Sequence, residues 1–306
     1  MKVAKTFVIG LAELLLLPAM SFAGHLPGSY VTPEWLFGHR ADQDIRIIDV
    51  SLSRKDYDAE HIPESVFVDW RTDLAEADEK HYFILPRQAF EGLMSRIGVT
   101  RETHLVFYDN FDNRLAIRAL WVAEYYGHPN TAILEGGIGA WKSRGHGATN
   151  RIPVYNRSRY IIETVNESLN VDRHYVERNL SNPKVLFVDG RPSGMYVRLV
   201  SGKAIHNDEW IARRGHLPGA VNLPWKSLMN NRAEFLDPNT LEAMYRERGI
   251  DEEKDAVVFY CNQGLHAAFD WFVAAKILGF DNARIYDGSM SEWAENPDLP
   301  LVMGRD

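Results

Sequence analysis

The strongest constraint in this sequence is a register that occurs twice. Leu105-Val106-Phe107-Tyr108-Asp109 is echoed by Val257-Val258-Phe259-Tyr260-Cys261 at an offset of 152 residues, and the same offset carries Gly127 onto Gly279, Gly136 onto Gly288 and Trp141 onto Trp293. A register held without a gap across that span marks a duplicated unit, so whatever one half folds into, the other must fold into as well. Upstream, Ile47-Ile48-Asp49 matches Phe187-Val188-Asp189, and His61-Ile62-Pro63 matches His216-Leu217-Pro218. The interval between these marks grows from 12 residues in the first half to 27 in the second. The second half therefore carries an insertion of 15 residues, roughly Val197 to Ile211. Long connections in compact domains are often functional, which makes this one a candidate border of the site.

Within each half, short runs rich in Val, Ile and Phe alternate with helical patterns, as in a mostly parallel sheet covered by helices. Candidate strands are Ile45 to Val50, Leu105 to Tyr108, Val185 to Asp189 and Ala256 to Tyr260. Ala267 to Leu278 has the spacing of a helix, with Gly279 in the position of its terminator. The fold class is α/β, with two tandem domains, each a mostly parallel central sheet flanked by helices. At 306 residues and 45% hydrophobic content the chain is long enough for two such cores. The polar stretch 144–163, with Gly145, Gly147 and Pro153, reads as the linker between a domain at 24–143 and another at 164–306.

Residues 1–23 have the pattern of an export signal: Lys2 and Lys5 at the start, a mainly apolar run from Thr6 to Met20, and Ser21-Phe22-Ala23 with small residues where a signal peptidase reads. Cleavage is expected after Ala23. Glu13 and Pro18 interrupt the apolar run, which is shorter than the ~20 residues of a membrane span, so no stable membrane insertion is expected once the signal is removed. A simple secretory signal suits a bacterial periplasm. The 42 Asp and Glu outnumber the 34 Lys and Arg. With no basic run long enough to track phosphates, nucleic acid is excluded as a partner class.

One cysteine in the whole chain precludes an internal disulfide even in an oxidising compartment. Cys261 is then either a small buried hydrophobe at a strand end or a thiol kept for its chemistry. Its context favours chemistry. Cys261-Asn262-Gln263-Gly264-Leu265-His266 joins an apolar strand to a helix start, where successive backbone N–H groups and the helix terminus can converge on the sulfur and favour its anion. Gly264 suits a loop that needs a positive φ. The first half has Asp109 at this position, so one of the two equivalent loops lacks a thiol.

Taken together, Val188-Asp189-Gly190-Arg191, the stretch Gly215-His216-Leu217-Pro218-Gly219-Ala220-Val221-Asn222, Tyr260-Cys261 with Gly264 and Ala267, and Tyr286-Asp287-Gly288 followed by Trp293 resemble the two-domain rhodanese family. This is the family of thiosulfate and 3-mercaptopyruvate sulfurtransferases. The resemblance implies a silent N-terminal domain packed on a catalytic C-terminal one. It also implies that Cys261 is the nucleophile and persulfide carrier, and that the amides of Asn262, Gln263, Gly264, Leu265, His266 and Ala267 form an anion cradle. Asp189 and Arg191 are implied at a strand end near the site, mainly to hold the structure around the loop, with Arg191 also among the substrate-binding residues. No metal or organic cofactor is implied. The partners would be a small sulfur-containing donor and a thiol or cyanide-like acceptor, with an envelope protein as a further acceptor.

The loop departs from the family pattern. It offers Asn262, Gln263 and His266 where thiosulfate-using members place cationic side chains, and Met195 stands where a substrate-binding arginine is common. A protonated His266, or Arg198, would be the nearby replacement for the missing charge; His266 could equally serve as a polar cap of the following helix. His216 reads as a locally satisfied turn histidine. A phosphatase with a related fold would need a longer loop ending in arginine, and the sixth residue after Cys261 is Ala267. Two functions remain: a sulfurtransferase working through a Cys261 persulfide, or a non-turnover binding or sulfur-delivery module of the cell envelope.

Overall fold

The computed structural model describes residues 26–77, 81–203 and 210–304. The segment read as an export signal and the middle of the insertion lie outside the described residues. Among those described, no helix is long and apolar enough to cross a membrane.

The first half runs β1 (Tyr30–Val31), α1 (Pro33–His39), β2 (Ile45–Asp49), α2 (Arg54–Ala59), β3 (Ser65–Phe67), β4 (Ala75–Ala77), β5 (Tyr82–Ile84), α3 (Arg87–Arg96), β6 (His104–Tyr108), α4 (Arg114–Tyr125), β7 (Thr131–Leu134) and α5 (Gly137–Ser143). Its five-stranded sheet has the order β1-β7-β6-β2-β3 with every pairing parallel, while β4 and β5 form a separate antiparallel pair. The second half runs β8 (Asn170–Val171), α6 (Arg173–Asn179), β9 (Val185–Asp189), α7 (Ser193–Tyr196), β10 (Val221–Asn222), α8 (Pro238–Arg246), β11 (Ala256–Tyr260), α9 (Leu265–Phe272), β12 (Ala283–Tyr286) and α10 (Ser289–Trp293). Its sheet, β10-β9-β11-β12-β8, is again parallel throughout. Both sheets are covered by helices, which explains why β6 and β11 are buried along their full length and read as unbroken apolar runs instead of alternating ones.

The repeat extends to side-chain detail. His61 stacks on Tyr57 at 3.8 Å and contacts its carbonyl oxygen through Nδ1 at 2.7 Å. His216 does the same with Tyr196, at 3.6 Å and 2.9 Å. The hydroxyls of Tyr108 and Tyr260 accept the backbone N–H of Ile62 and Leu217 at 3.0 and 3.1 Å. His216 is thus a turn-holding histidine, as the sequence suggests. The helix after Cys261 passes from α9 into one wider turn, where Leu278 N–H reaches Val273 O at 2.9 Å, and it ends at Gly279 with φ +80°. The stretch 144–163 has no helix or strand, but it is no free spacer. Tyr160 and Ile162 are buried in the core, Tyr155 lies under the guanidinium of Arg46 at 3.2 Å, and Ser158 N–H donates to Ser95 O.

Helices α4 and α9 pack on each other, and their apolar residues belong to one core that runs across both domains. Ion pairs cross the same boundary. Arg118 Nη1 meets Asp287 Oδ1 at 2.6 Å with both side chains almost fully buried, and Asp287 Oδ2 accepts Ile84 N–H at 2.8 Å. Removing one partner of such a pair strands the other charge in the interior, which sets the orientation of the two halves firmly.

The halves differ at one buried carboxylate. Asp189 is paired with Arg191, whereas its equivalent Asp49 has Ser51 at the arginine position. Burial, opposed by hydrogen bonds from Ser51 and Tyr108, pushes Asp49 up to about 6 from 3.8. A folded-state value above the unfolded one means that the native state holds this proton more tightly. Stability is therefore lost as pH rises from about 4 to about 6 and stays lower above that. Asp49→Asn is expected to raise stability at pH 7.5 by up to about 3 kcal/mol, and by little at pH 4, since each tenfold difference in proton affinity between folded and unfolded chain is worth ~1.4 kcal/mol. Thermal melts of both proteins at the two pH values check this; a gain equal at both would show that ionisation of Asp49 costs nothing.

Candidate active site

In a parallel sheet the carboxyl ends of the strands open onto loops whose amides are not consumed by the ladder, and ligands bind there. Cys261 follows directly on β11, the central strand, between β9 ending at Asp189 and β12 ending at Tyr286. It is 1% exposed. The backbone N–H groups of Ala267, Gln263 and His266 are directed at its sulfur. Three of the six amides expected to form a cradle therefore do so. The N–H of Gly264 is used elsewhere: with that of Cys261 it donates to Ser289 Oγ, each at 3.1 Å. The Ser289 hydroxyl in turn donates to Tyr286 O at 2.8 Å. Met290 and Ser291 N–H groups bind the carbonyls of Cys261 and Asn262 at 3.1 and 3.0 Å, so the start of α10 clamps the loop from below.

Two backbone positions are forced. Gly264 has φ +76°, and a Cβ there would lie 2.6 Å from Asp287 Oδ1 and 2.9 Å from Arg118 Nη1. Ser289 sits at φ +51° despite its side chain, in a region that costs a non-glycine residue about 1 kcal/mol or more. Its repeat equivalent is Gly137. The serine keeps this conformation where a hydroxyl is needed under the cysteine, a role the sequence comparison did not flag, although the Gly-to-Ser change between halves carried the signal.

The first half shows what such a loop holds. Asp109 Oδ1 accepts the N–H groups of Phe111 and Asn113 at 2.7 and 2.9 Å, and Oδ2 those of Leu115 and Ala116 at 2.8 and 2.9 Å. This is a carboxylate group in a ring of four peptide amides; burial raises its pKa above the ordinary carboxylate value and the four amides oppose that rise. A carboxylate oxygen of aspartate is two bonds beyond Cβ, as is the terminal sulfur of a cysteine persulfide. Asp109 therefore occupies its loop as a fixed analogue of the anion that a sulfur-loaded Cys261 would present.

The ionisation of Cys261 differs from the sequence-based expectation. Burial raises its pKa above the ordinary thiol value, and the amides of Ala267, Gln263 and His266 offset this only in part. In the closed site the sulfur is held as a neutral thiol, because the loss of water outweighs three backbone dipoles.

His266 is neutral too. Burial, then the neighbouring charge of Arg114, push it down to about 3, so it is not the replacement cation. Nor does it cap the helix: it lies inside α9, and the capping residue is Gly264 with no side-chain bond. Its ring stacks on Trp225 at 4.9 Å. Arg198 points elsewhere, with its guanidinium against the Met303 sulfur.

Arg191 is placed differently from its expected substrate role. Its Nε reaches both oxygens of Asp189 at 2.9 and 3.0 Å, and Nη2 reaches Asp189 Oδ2 at 2.5 Å and Gly215 O at 2.7 Å. Burial works against its charge, but Asp189 beside it raises the pKa above the usual arginine value. It is a buried strut that joins the end of β9 to the turn before His216.

The insertion does border the site. The Asn262 side chain donates from Nδ2 to Lys203 O at 3.0 Å and rests 3.9 Å from the Met195 sulfur. A Cβ on Gly202 would lie 2.5 Å from the same amide. Leu265 contributes packing, buried in the core. Among the described residues, no group of three or more His, Cys, Asp or Glu is arranged to hold a metal ion.

Known proteins match this architecture. A rhodanese-like domain matches residues 32–144 and again residues 172–296. The chain is 30% identical over 283 residues to the sulfur carrier protein TtuD of Thermus thermophilus, covering 92% of this chain and 98% of that one. It is also 30% identical over 293 residues to a thiosulfate sulfurtransferase of Corynebacterium glutamicum, covering 94% of each. The crystal structure of SseA from Escherichia coli, described among 3-mercaptopyruvate sulfotransferases, superposes with a TM-score of 0.74 at 25% identity, over 86% of this chain and 98% of that one.

Ser289→Ala removes the shared acceptor of two buried N–H groups while leaving the backbone unchanged. It is expected to lower stability by about 2–4 kcal/mol, at ~1–3 kcal/mol per orphaned group less what relaxation recovers, and to slow any reaction at Cys261. Denaturant melts together with the rate of Cys261 labelling check this. Unchanged stability would show that the serine does not hold the loop.

Proposed function

Two rhodanese-like domains make this chain a member of the rhodanese family, and from that premise we propose that it is a sulfurtransferase carrying sulfane sulfur as a Cys261 persulfide. The observation that carries the proposal is the ring of amides on the Cys261 sulfur, matched by the ring that holds the Asp109 carboxylate. The silent loop holds a carboxylate group, and the working loop directs the same kind of amide ring at a sulfur.

The chemistry is a double displacement. The Cys261 thiolate attacks the outer sulfur of a donor such as thiosulfate. The donor S–S bond breaks, and its electron pair leaves with sulfite. The new terminal sulfur carries the negative charge into the amide cradle. A thiophilic acceptor, a thiol or cyanide-like nucleophile, then takes that sulfur and returns the thiolate. No redox partner is needed, since the transferred atom keeps its oxidation level between sulfane compounds.

Cys261 is buried, so the donor reaches it with a local rearrangement of the site, and water admitted with the donor lowers the burial penalty that raises the thiol's pKa. Residues 1–23 support an exported, periplasmic setting for the reaction, with an envelope protein as a further acceptor.

A second reading, a carrier that hands its sulfur to a protein instead of turning over small acceptors, is favoured by the likeness to the Thermus sulfur carrier protein. Slow turnover with small thiols alongside fast transfer to a protein acceptor would separate it from the first.

Incubation with thiosulfate, mercaptopyruvate or polysulfide, followed by intact mass measurement, is expected to show a gain of one sulfur atom that cyanide removes and that Cys261→Ser abolishes. No gain with any of the three donors would remove the proposal.

A further inference from the structure

The working loop carries no cationic side chain: Arg191 acts on Cys261 electrostatically but is already paired with Asp189, His266 is neutral, and Arg198 lies against Met303. A dianionic donor would meet no cation from the loop itself. We propose that the silent domain provides the missing charge: Arg114, at the start of α4, is the donor-binding cation of the Cys261 site. This rests on the sulfurtransferase reading.

Arg114 is the repeat equivalent of His266, at the same offset of 152 residues, and the two equivalents meet across the domain boundary. Arg114 Nη1 is 3.3 Å from His266 Nε2. The guanidinium is half-buried, held between two aromatic faces, Phe111 at 3.4 Å and Trp225 at 4.5 Å. Its Nε donates to Phe111 O at 3.3 Å. Among the described residues no carboxylate lies within ion-pair distance of it, and the neighbouring Asp112 is paired with Lys226 at 3.0 Å. The carboxylates that act on it are Asp112 and Asp109, each already engaged, the first by Lys226 and the second by four backbone amides, so this desolvated guanidinium, oriented by two rings, keeps capacity for a further anion.

The contact also fixes the histidine. Arginine can only donate, so His266 Nε2 accepts and the ring proton sits on Nδ1. That Nδ1 is buried and has no hydrogen-bond partner among the described residues. The backbone N–H of the same residue points at the Cys261 sulfur. Arg114 and His266 together thus place one charge and one spare neutral donor at a residue whose backbone amide belongs to the ring on the Cys261 sulfur, on opposite sides of the domain boundary. Trp225 ties them to the catalytic sheet through its N–H, which donates to Gly190 O at 3.1 Å.

The test uses the full chain with thiosulfate as donor and sulfate as an unreactive dianion of similar size. Arg114→Met keeps the side-chain length without the charge. It is expected to raise KM for thiosulfate and the inhibition constant of sulfate by about tenfold or more, with the saturated rate within about threefold, the pattern of lost donor binding. Arg114→Lys is expected to recover most of the loss, and added neutral salt to narrow the gap between wild type and Arg114→Met. An unchanged sulfate constant in Arg114→Met overturns the proposal. So do equal losses in the Met and Lys variants accompanied by equal falls in melting temperature, which would mark Arg114 as packing alone. If the wild type loads no sulfur from any donor, the sulfurtransferase reading fails by itself. Calorimetric binding of sulfate to wild type and Arg114→Met still decides whether Arg114 holds a dianion.

Discussion

Backbone N–H groups that converge at the end of a central parallel strand are the interaction on which both halves of this molecule depend. They are fixed dipoles, they need no side chain, and they become available only because β6 and β11 stop while the chain turns into a helix that has not yet begun to use its own donors. Burying such a ring without an anion would leave several donors unmet. The first half meets them with the Asp109 carboxylate and the second with the Cys261 sulfur. A sulfur makes weaker hydrogen bonds than a carboxylate, so the second loop is the less satisfied of the two, and a persulfide anion would satisfy it better than the bare thiol. The same geometry is thus inert in one copy and reactive in the other.

Divergence between the copies is concentrated around this ring. Ser51 corresponds to Arg191, Asp109 to Cys261, Arg114 to His266, Arg118 to Asp270 and Gly137 to Ser289. Each change leaves a charge or donor in one half that the other half answers or lacks. Asp189 keeps an arginine that Asp49 lacks. Arg118 finds its acid in the other domain, at Asp287, against the loop glycine. Asp270, at the arginine's equivalent position, is a buried carboxyl with neither oxygen bonded among the described residues, and burial, then Asp189, push its pKa well above the usual carboxylate value. The two domains are consequently no longer interchangeable: Arg118 of the first pairs with Asp287 of the second, while Lys226 and Lys276 of the second pair with Asp112 and Glu124 of the first.

The division between what the sequence showed and what it concealed follows from range. The repeat, the parallel α/β class, the strand that leads into Cys261, the positive φ of Gly264 and the bordering insertion are properties of local pattern and spacing, and all were legible. The direction of the Arg191 fork, the Arg114 contact to His266 and the Arg118 pair with Asp287 are contacts between residues that sequence alone does not bring together. The ionisation of Cys261 was misjudged for a related reason. The amides that lower its pKa are encoded in a short loop, but the burial that raises it comes from the core packed around that loop, which a loop pattern does not contain.

That misjudgement bears on how the site would work. A cysteine permanently held as thiolate at the protein surface would be exposed to oxidation, with no second cysteine in the chain to form a resolving disulfide. A cysteine kept neutral by burial is protected, but it cannot attack. The two contributions come from different parts of the molecule. The amides belong to a loop clamped by Ser289 and by the start of α10. Desolvation comes from the packing around that loop, so water entering with a donor would shift the balance at the sulfur from burial toward dipoles without any change in the amides themselves.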